Sequence, residues 1–378
     1  MAGGALEGLL VADFSRVLAG PLATMMLADL GADVVKVERP GGGDDTRGWG
    51  PPWTADGRSP YYLGLNRGKR SIALDLSQAG DLELARRLAG RADVVVESFR
   101  AGTMERFGLG YDEVASANPG VVYCSVTAFG RASQRPGYDF LLQAMGGLMS
   151  VTGEEGGEPL KVGAPIVDLV CGLYATIGIL AALHARTDDP EGRGQHVEAT
   201  LMLAALSALV NQGANHLLAG VTAGRLGNRH PTIAPYATYH AADGPFALGV
   251  GNDAMFARLC SAIGRPDLPG DERFATNAAR REHVDALDAE LEAALAARTA
   301  EEWVELFTSA GVPAGPINDV DAAYAMAREL GLEPDVEIDG LRLPATPVHL
   351  ARTPPAVRRP PPGLGEHDEE LRAWLASG

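Results

Sequence analysis

Residues 169–183 (LVCGLYATIGILAAL) carry no charge and, wound at helical spacing, leave no polar face of any width. A helix apolar all round is a buried one, in a large core or in a membrane. A membrane span needs about 18 or more apolar residues in a row. This run is shorter and is interrupted by Gly172 and Gly178. The pattern therefore predicts a core helix buried on every face and starting at Asp168, after Pro165 and an extended Ile166-Val167.

Upstream, short apolar runs alternate with helical periodicity. Residues 9–14, 32–38, 71–76, 93–97, 121–127 and 196–200 read as strands. Helices are predicted over 21–30, with Pro21 in a favourable first-turn position, and over 80–89, 103–107 and 138–149. Strand–helix alternation of this kind predicts an α/β fold with a parallel sheet, here a Rossmann-like large domain. A second apolar helical region covers 199–219, and 223–233 is the most linker-like stretch. Beyond it the pattern changes. Residues 236–250 read as a hairpin about Asp243-Gly244, followed by helices over 253–263, 283–297 and 300–310. A strand (312–320), a helix (321–330) and a hairpin (336–343) come next, then a proline-rich return (353–362) and a last helix (369–376). The expected division is a large domain begun by 1–200, a helix and linker over 201–228, a small α+β domain over 229–325, and a segment 326–378 completing the large domain.

Composition narrows the function classes. With 378 residues, two domains are expected. Hydrophobic content of 46% and a mean hydropathy of −0.01 indicate a soluble globular chain. No basic segment leads into an apolar one at the N-terminus, so residues 1–4 read as a short lead and a cytoplasmic, membrane-free protein is expected. A net charge of −17 argues against nucleic acid as a partner, although a few local arginines suffice for a small anion. Cys124, Cys171 and Cys260 stand far apart among apolar residues, as free buried thiols do. Neither CxxC nor HExxH occurs, and no metal is expected.

Candidate chemistry gathers after strand ends. Arg39 precedes Gly41-Gly42-Gly43 just beyond a strand, where open α/β sheets bind ligands; neither GxGxxG nor GxxxxGK[ST] is met. Arg67, Lys69 and Arg70 concentrate positive charge before the third strand, as a solvated turn or an anion site. Asp168 has two readings: an N-cap that accepts first-turn amides, or a carboxylate presented at the mouth of an apolar site as nucleophile or base. Spacing leaves both open.

Five blocks in order, VADFSRVLAGPLATMMLADLGADVVKVERPGGGDDTRGW, LNRGKRSIALDL, ESFRAGTMERFGL, RPGYDFLLQAMGGLMSVTG and the Asp168 segment, resemble the family III CoA-transferases across essentially the whole chain. The resemblance implies a Rossmann-like large domain, a smaller domain, and a homodimer of interlocked rings. It implies that coenzyme A enters as acyl-CoA together with a small carboxylic acid. Asp168 would be the catalytic carboxylate, forming an acyl anhydride and then an aspartyl-CoA thioester. Contacts to CoA would fall on Val17, Leu18 and Ala19, on Arg39, on Leu74, Asp75, Leu76 and Ser77, on Ser98, Phe99 and Arg100, on Arg106, and on Pro136, Gly137, Tyr138 and Asp139. Trp49, Tyr138, Gly249, Gly251 and Asn252 would line the acyl end, the glycine loop shielding the anhydride from water. Tyr138 stands where the family's 2-methylacyl-CoA racemases carry histidine; a phenol with a free pKa near 10 is a poor base at neutral pH, which favours transfer over racemisation. Ser77, Leu18 and Arg16 replace a lysine, a glutamine and a histidine of formyl-CoA transferase, so an oxalyl-specific pocket is not expected. The alternatives are a racemase using Asp168 for α-proton exchange and a non-catalytic acyl-CoA-binding protein.

Overall fold

Six strands, β1 (Leu10–Phe14), β2 (Asp33–Glu38), β3 (Lys69–Ala73), β4 (Val94–Glu97), β5 (Val122–Thr127) and β6 (His196–Thr200), pair in the order β3-β2-β1-β4-β5-β6. Every pairing is parallel, and the order is that of a doubly wound α/β sheet. The chain is thus a mixed α/β protein with a parallel central sheet. The structure, a computed structural model, describes residues 4–377; of the expected lead, residues 1–3 lie outside them.

Burial on both faces explains why the central strands read as continuous apolar runs. Val94 and Val96 enter one core with the helices Ala19–Asp29 and Ile166–Asp188, while Val95 enters the other with the helices Ala79–Arg91 and Asp368–Ala376. The chain divides into two compact units, residues 4–149, 161–222 and 332–377 in one and 150–160 with 223–331 in the other. In the first, the proline-rich return runs beside the sheet: the Ala356 N–H donates to the Asp29 carbonyl and the Gly68 N–H to the Arg359 carbonyl, both at 2.9 Å. In the second, the expected hairpin is found, Tyr236–His240 against Pro245–Gly249, with Ala314–Pro316 as a third strand. Its core gathers Phe246, Phe256, Leu291, Trp303 and Phe307.

Several expectations need correction. The Asp168 helix runs Ile166–Asp188, so Ile166 and Val167 are helical rather than extended. It buries one face only: Val167, Cys171, Ala175 and Ile179 point inward, whereas Leu169, Leu173 and Ile177 are exposed, the last by 61%. By length and composition this helix could cross a membrane, yet its inward face is packed into the sheet's core. Gly172 permits close approach to the first helix, since a Cβ there would lie 2.8 Å from the Ala19 carbonyl oxygen. The second apolar helical region is two helices, Leu201–Ala208 and Asn211–Ala219, broken at Val210, whose φ is +43°.

The basic cluster is neither a solvated turn nor an anion site. β3 starts at Lys69, and all three cations are used internally: Arg67 on Asp29 at 2.6 Å, Lys69 on Asp13 at 3.0 Å, Arg70 on Asp33 and on Glu370. The short helices Pro60–Leu65 and Tyr111–Ala117 are additional to those expected. Cys124, Cys171 and Cys260 are free and buried, as their surroundings suggested.

Candidate active site

Asp168 does not cap its helix. It occupies the first turn, and the cap arrives from elsewhere in the chain: one Asp139 oxygen accepts the N–H groups of Val167 at 2.8 Å and Asp168 at 3.2 Å. Asp139 is fixed in turn by the buried Gln143 amide at 2.7 Å. The orphan amides of the first turn are thereby satisfied, and the Asp168 side chain is free for other work. It is 9% exposed, and its carboxylate accepts no hydrogen bond from the described residues. Burial, and secondarily the nearby Asp139 charge, push its carboxyl up to about 7. A carboxylate short of solvation and of hydrogen bonds is a better nucleophile than one in water.

Two outcomes follow. A carboxyl raised on folding favours the acid side: its stabilising contribution is complete below the ordinary value of 3.8 and is lost as pH climbs through about 7. Asp168→Asn should therefore melt higher than the wild type at pH 8.5, by an amount on the order of 2–4 kcal/mol, and show little gain at pH 4; equal gains at both pH values in thermal scans would contradict this. Asp139→Asn keeps the oxygen that caps the helix but removes the like charge, so the Asp168 carboxyl should fall. The acid limb of the kcat/KM profile should then move to lower pH, and an unmoved limb would remove Asp139 from the electrostatics of the site.

The carboxyl ends of the strands surround Asp168. A cavity of about 190 Å³ is lined by Val17, Leu18 and Ala19 after β1, by Ser98, Phe99 and Arg100 after β4, by Pro136, Gly137 and Tyr138 after β5, and by Asp168. A second, of about 250 Å³, is lined by Arg39 after β2 and by Leu74, Asp75, Leu76 and Ser77 after β3. The two share Arg16 and Phe99 as walls. Gly20 lies in the first turn of the helix Ala19–Asp29 beside them, where a Cβ would fall 2.3 Å from that of Ser15. Together the cavities form a groove from Asp168 to Arg39, where Arg39 and Arg16 both pair with Asp45, at 2.5 and 3.3 Å; a phosphate there would take over guanidinium donors that this carboxylate now holds.

Other expected residues are placed differently. Arg106 is exposed, bonds Thr103 at 3.3 Å and lines neither cavity. Asp139 acts through the Asp168 amide. Trp49 packs edge-on against Tyr61, ring centroids 5.1 Å apart. Tyr61, for which the sequence offered no signal, has its hydroxyl pushed up to about 12 by burial and then by the Asp168 and Asp139 charges. Arg16 and Arg135, cavity-lining residues within the resembling blocks, were also not singled out as ligand contacts. Gly249, Gly251 and Asn252 belong to the second unit, where the Asn252 side chain caps the helix Asp253–Ala262 by accepting the Met255 N–H at 2.9 Å. Among the described residues no group of three or more His, Cys, Asp or Glu could hold a metal ion.

Residues 6–368 match the model of CoA-transferase family III. The succinate–glutarate CoA-transferase of Agrobacterium fabrum is 43% identical over 389 residues, covering 98% of this chain and 95% of that protein. The human succinyl-CoA:glutarate CoA-transferase is 38% identical, over 97% of this chain and 85% of its own. The crystal structure of a CAIB/BAIF family protein from Brucella suis superposes with a TM-score of 0.88 at 40% identity, over 99% of this chain and 100% of that one. The chain therefore belongs to CoA-transferase family III and is an enzyme that moves CoA between carboxylic acids.

Proposed function

We propose that Asp168 carries the transfer covalently. Its carboxylate oxygen attacks the acyl-CoA carbonyl, the carbon–sulfur bond breaks, and an aspartyl–acyl anhydride remains with free CoA thiolate. The thiolate attacks the aspartyl carbonyl and releases the donor acid, leaving an aspartyl-CoA thioester. The acceptor carboxylate opens that thioester to a new anhydride, and the thiolate takes the new acyl group, regenerating Asp168. The observation that supports this is a buried carboxylate to which no described residue donates a hydrogen bond, in a cavity walled by strand-end loops. Arg39 and Arg16, exchanging Asp45 for phosphate, hold CoA together with Arg100, and Tyr138 lines the acyl end.

The acids we propose are short dicarboxylates, the class for which the two transferases above are named. Arg135 supports this. Its guanidinium lies 5.0 Å from the Phe129 ring centroid and lines the Asp168 cavity without a carboxylate partner among the described residues. A panel of acyl-CoA donors and free acids, read by mass spectrometry for mixed products, tests the class: C4 and C5 diacids should exchange CoA, and exchange confined to monocarboxylates would refute it. Arg135→Gln should lower kcat/KM for a diacid by about 10²-fold and leave a monoacid's unchanged.

The protein is proposed to work as an interlocked homodimer. Support comes from apolar side chains left bare on the helical face: Ile177, Leu203, Val210, Leu217 and Leu218, the last 88% exposed. Large apolar side chains exposed in this number on successive helices are what an interface covers.

A further inference from the structure

Beneath the groove, one buried ion pair grips the backbone of the first loop. Lys36 stands on β2 next to Asp13 of β1. Its ammonium donates to the Ser15 carbonyl at 2.9 Å and pairs with Asp44 at 3.0 Å, both side chains wholly buried. The Asp44 oxygens accept the Val17 N–H at 3.3 and 3.4 Å. The two peptide groups on either side of Arg16 are thus held by the two ends of one pair. Asp44 is itself anchored: one oxygen accepts the Thr46 N–H at 3.0 Å and the Thr46 hydroxyl at 2.8 Å, and the Asp44 N–H donates to Glu38 at 2.9 Å.

What is held is strained. Val17 has a φ of +71°, a left-handed conformation that a β-branched side chain avoids. Such a residue persists where its surroundings over-determine it, and such positions cluster at ligand sites. A buried ion pair is weak evidence for stability, since well-packed apolar residues often do as well; fixing a geometry is the role left to it. Burial alone would lower the Lys36 amine, but Asp13, then Asp44 and Glu38, push it up. Burial would likewise raise the Asp44 carboxyl, and Lys36 with the Thr46 amide brings it down. The pair stays ionised at neutral pH.

We infer that Lys36 and Asp44 are positioning residues of the acyl-CoA groove, holding Val17 in its strained conformation so that Arg16 and Leu18 are presented to the ligand. This rests on the reading of the groove as the CoA site. Without the grip, Val17 relaxes, and the Arg16–Leu18 wall moves relative to the loop that carries Arg39 and Asp45. Glycine at position 17 has no such strain and should keep the conformation unaided.

The test is calorimetric titration of the full-length protein with CoA, alongside steady-state kinetics. Lys36→Met should weaken CoA binding about tenfold or more, raising the KM for acyl-CoA with kcat at saturation little changed. Val17→Gly added to Lys36→Met should return the affinity to within about threefold of Val17→Gly alone, while the melting temperature stays as low as that of Lys36→Met. A purely structural role for the pair would not let a loop glycine restore binding. If Lys36→Met does not fold, Lys36→Met with Asp44→Leu leaves neither charge unpaired and should fold yet bind weakly. Wild-type affinity in either folded variant, or no recovery with glycine, overturns the inference. Absence of CoA binding by the wild type would instead overturn the reading of the groove.

Discussion

Asp168→Ala should lose CoA transfer by about 10⁴-fold or more while binding CoA within about threefold of the wild type. The size follows from the chemistry. In the proposed cycle every acyl or CoA group passes through this carboxylate, so its removal deletes the pathway instead of slowing one step. CoA binding should survive because the groove is built from strand-end loops that do not depend on Asp168: Asp139 satisfies the amides of the helix start whatever side chain stands at 168. Hydroxylamine added to wild-type enzyme with acyl-CoA should convert Asp168 to a hydroxamate, found on one peptide by mass spectrometry, and the alanine variant should give none. The pH profile gives an independent check. Attack needs the ionised form, so with a carboxyl at about 7, kcat/KM should rise about tenfold per pH unit below that point and level above it. Substantial turnover by the alanine variant, or a trapped adduct elsewhere, would end the covalent reading.

How far this site could be read from the chain depends on the range of each signal. The sheet was accessible because Val94, Val95 and Val96 are buried in alternating cores, and burial on both faces writes itself into consecutive residues. The placement of Asp168 was half accessible. Its apolar helix was visible, but its cap is a carboxylate 29 residues away, which no local pattern encodes. The basic cluster failed for the same reason: Arg67 and Lys69 find Asp29 and Asp13, 38 and 56 residues distant. Tyr61 sits on a helix of six residues, too short for a period to show. The groove's residues came from the family resemblance, and local reading alone reached only Arg39 and Asp168. The apolar pattern of the Asp168 helix overstated its burial because it reports every surface that shuns water, including faces that one chain leaves bare.

The second large effect lies under the groove, where Asp13 is wholly buried in the middle of the sheet. Its carboxylate accepts the Ser15 N–H at 2.9 Å and the Thr24 hydroxyl at 2.7 Å, and it pairs with Lys69 at 3.0 Å. Lys69 goes on to the Pro21 carbonyl and to Asn66, both at 2.9 Å. Burial by itself would raise the carboxyl; Lys69, then Lys36, Ser15 and Thr24, outweigh it and bring Asp13 down to about 2. The sign is that of a depressed acid: its stabilisation is complete above the ordinary value of 3.8 and is lost as pH falls towards about 2. Asp13→Asn leaves two buried ammonium groups with one counter-charge fewer, and stability at pH 7 should fall by about 3–5 kcal/mol. Asp13→Leu combined with Lys69→Met should cost less than either change alone, because neither charge is then left unpaired. Urea titrations at one fixed protein concentration read both quantities and keep any association constant between variants. A loss under about 1 kcal/mol for Asp13→Asn, or simple additivity in the double variant, would show that the ion pair does not hold β1 to β3. The first loop would then owe its position to Lys36 and Asp44 alone.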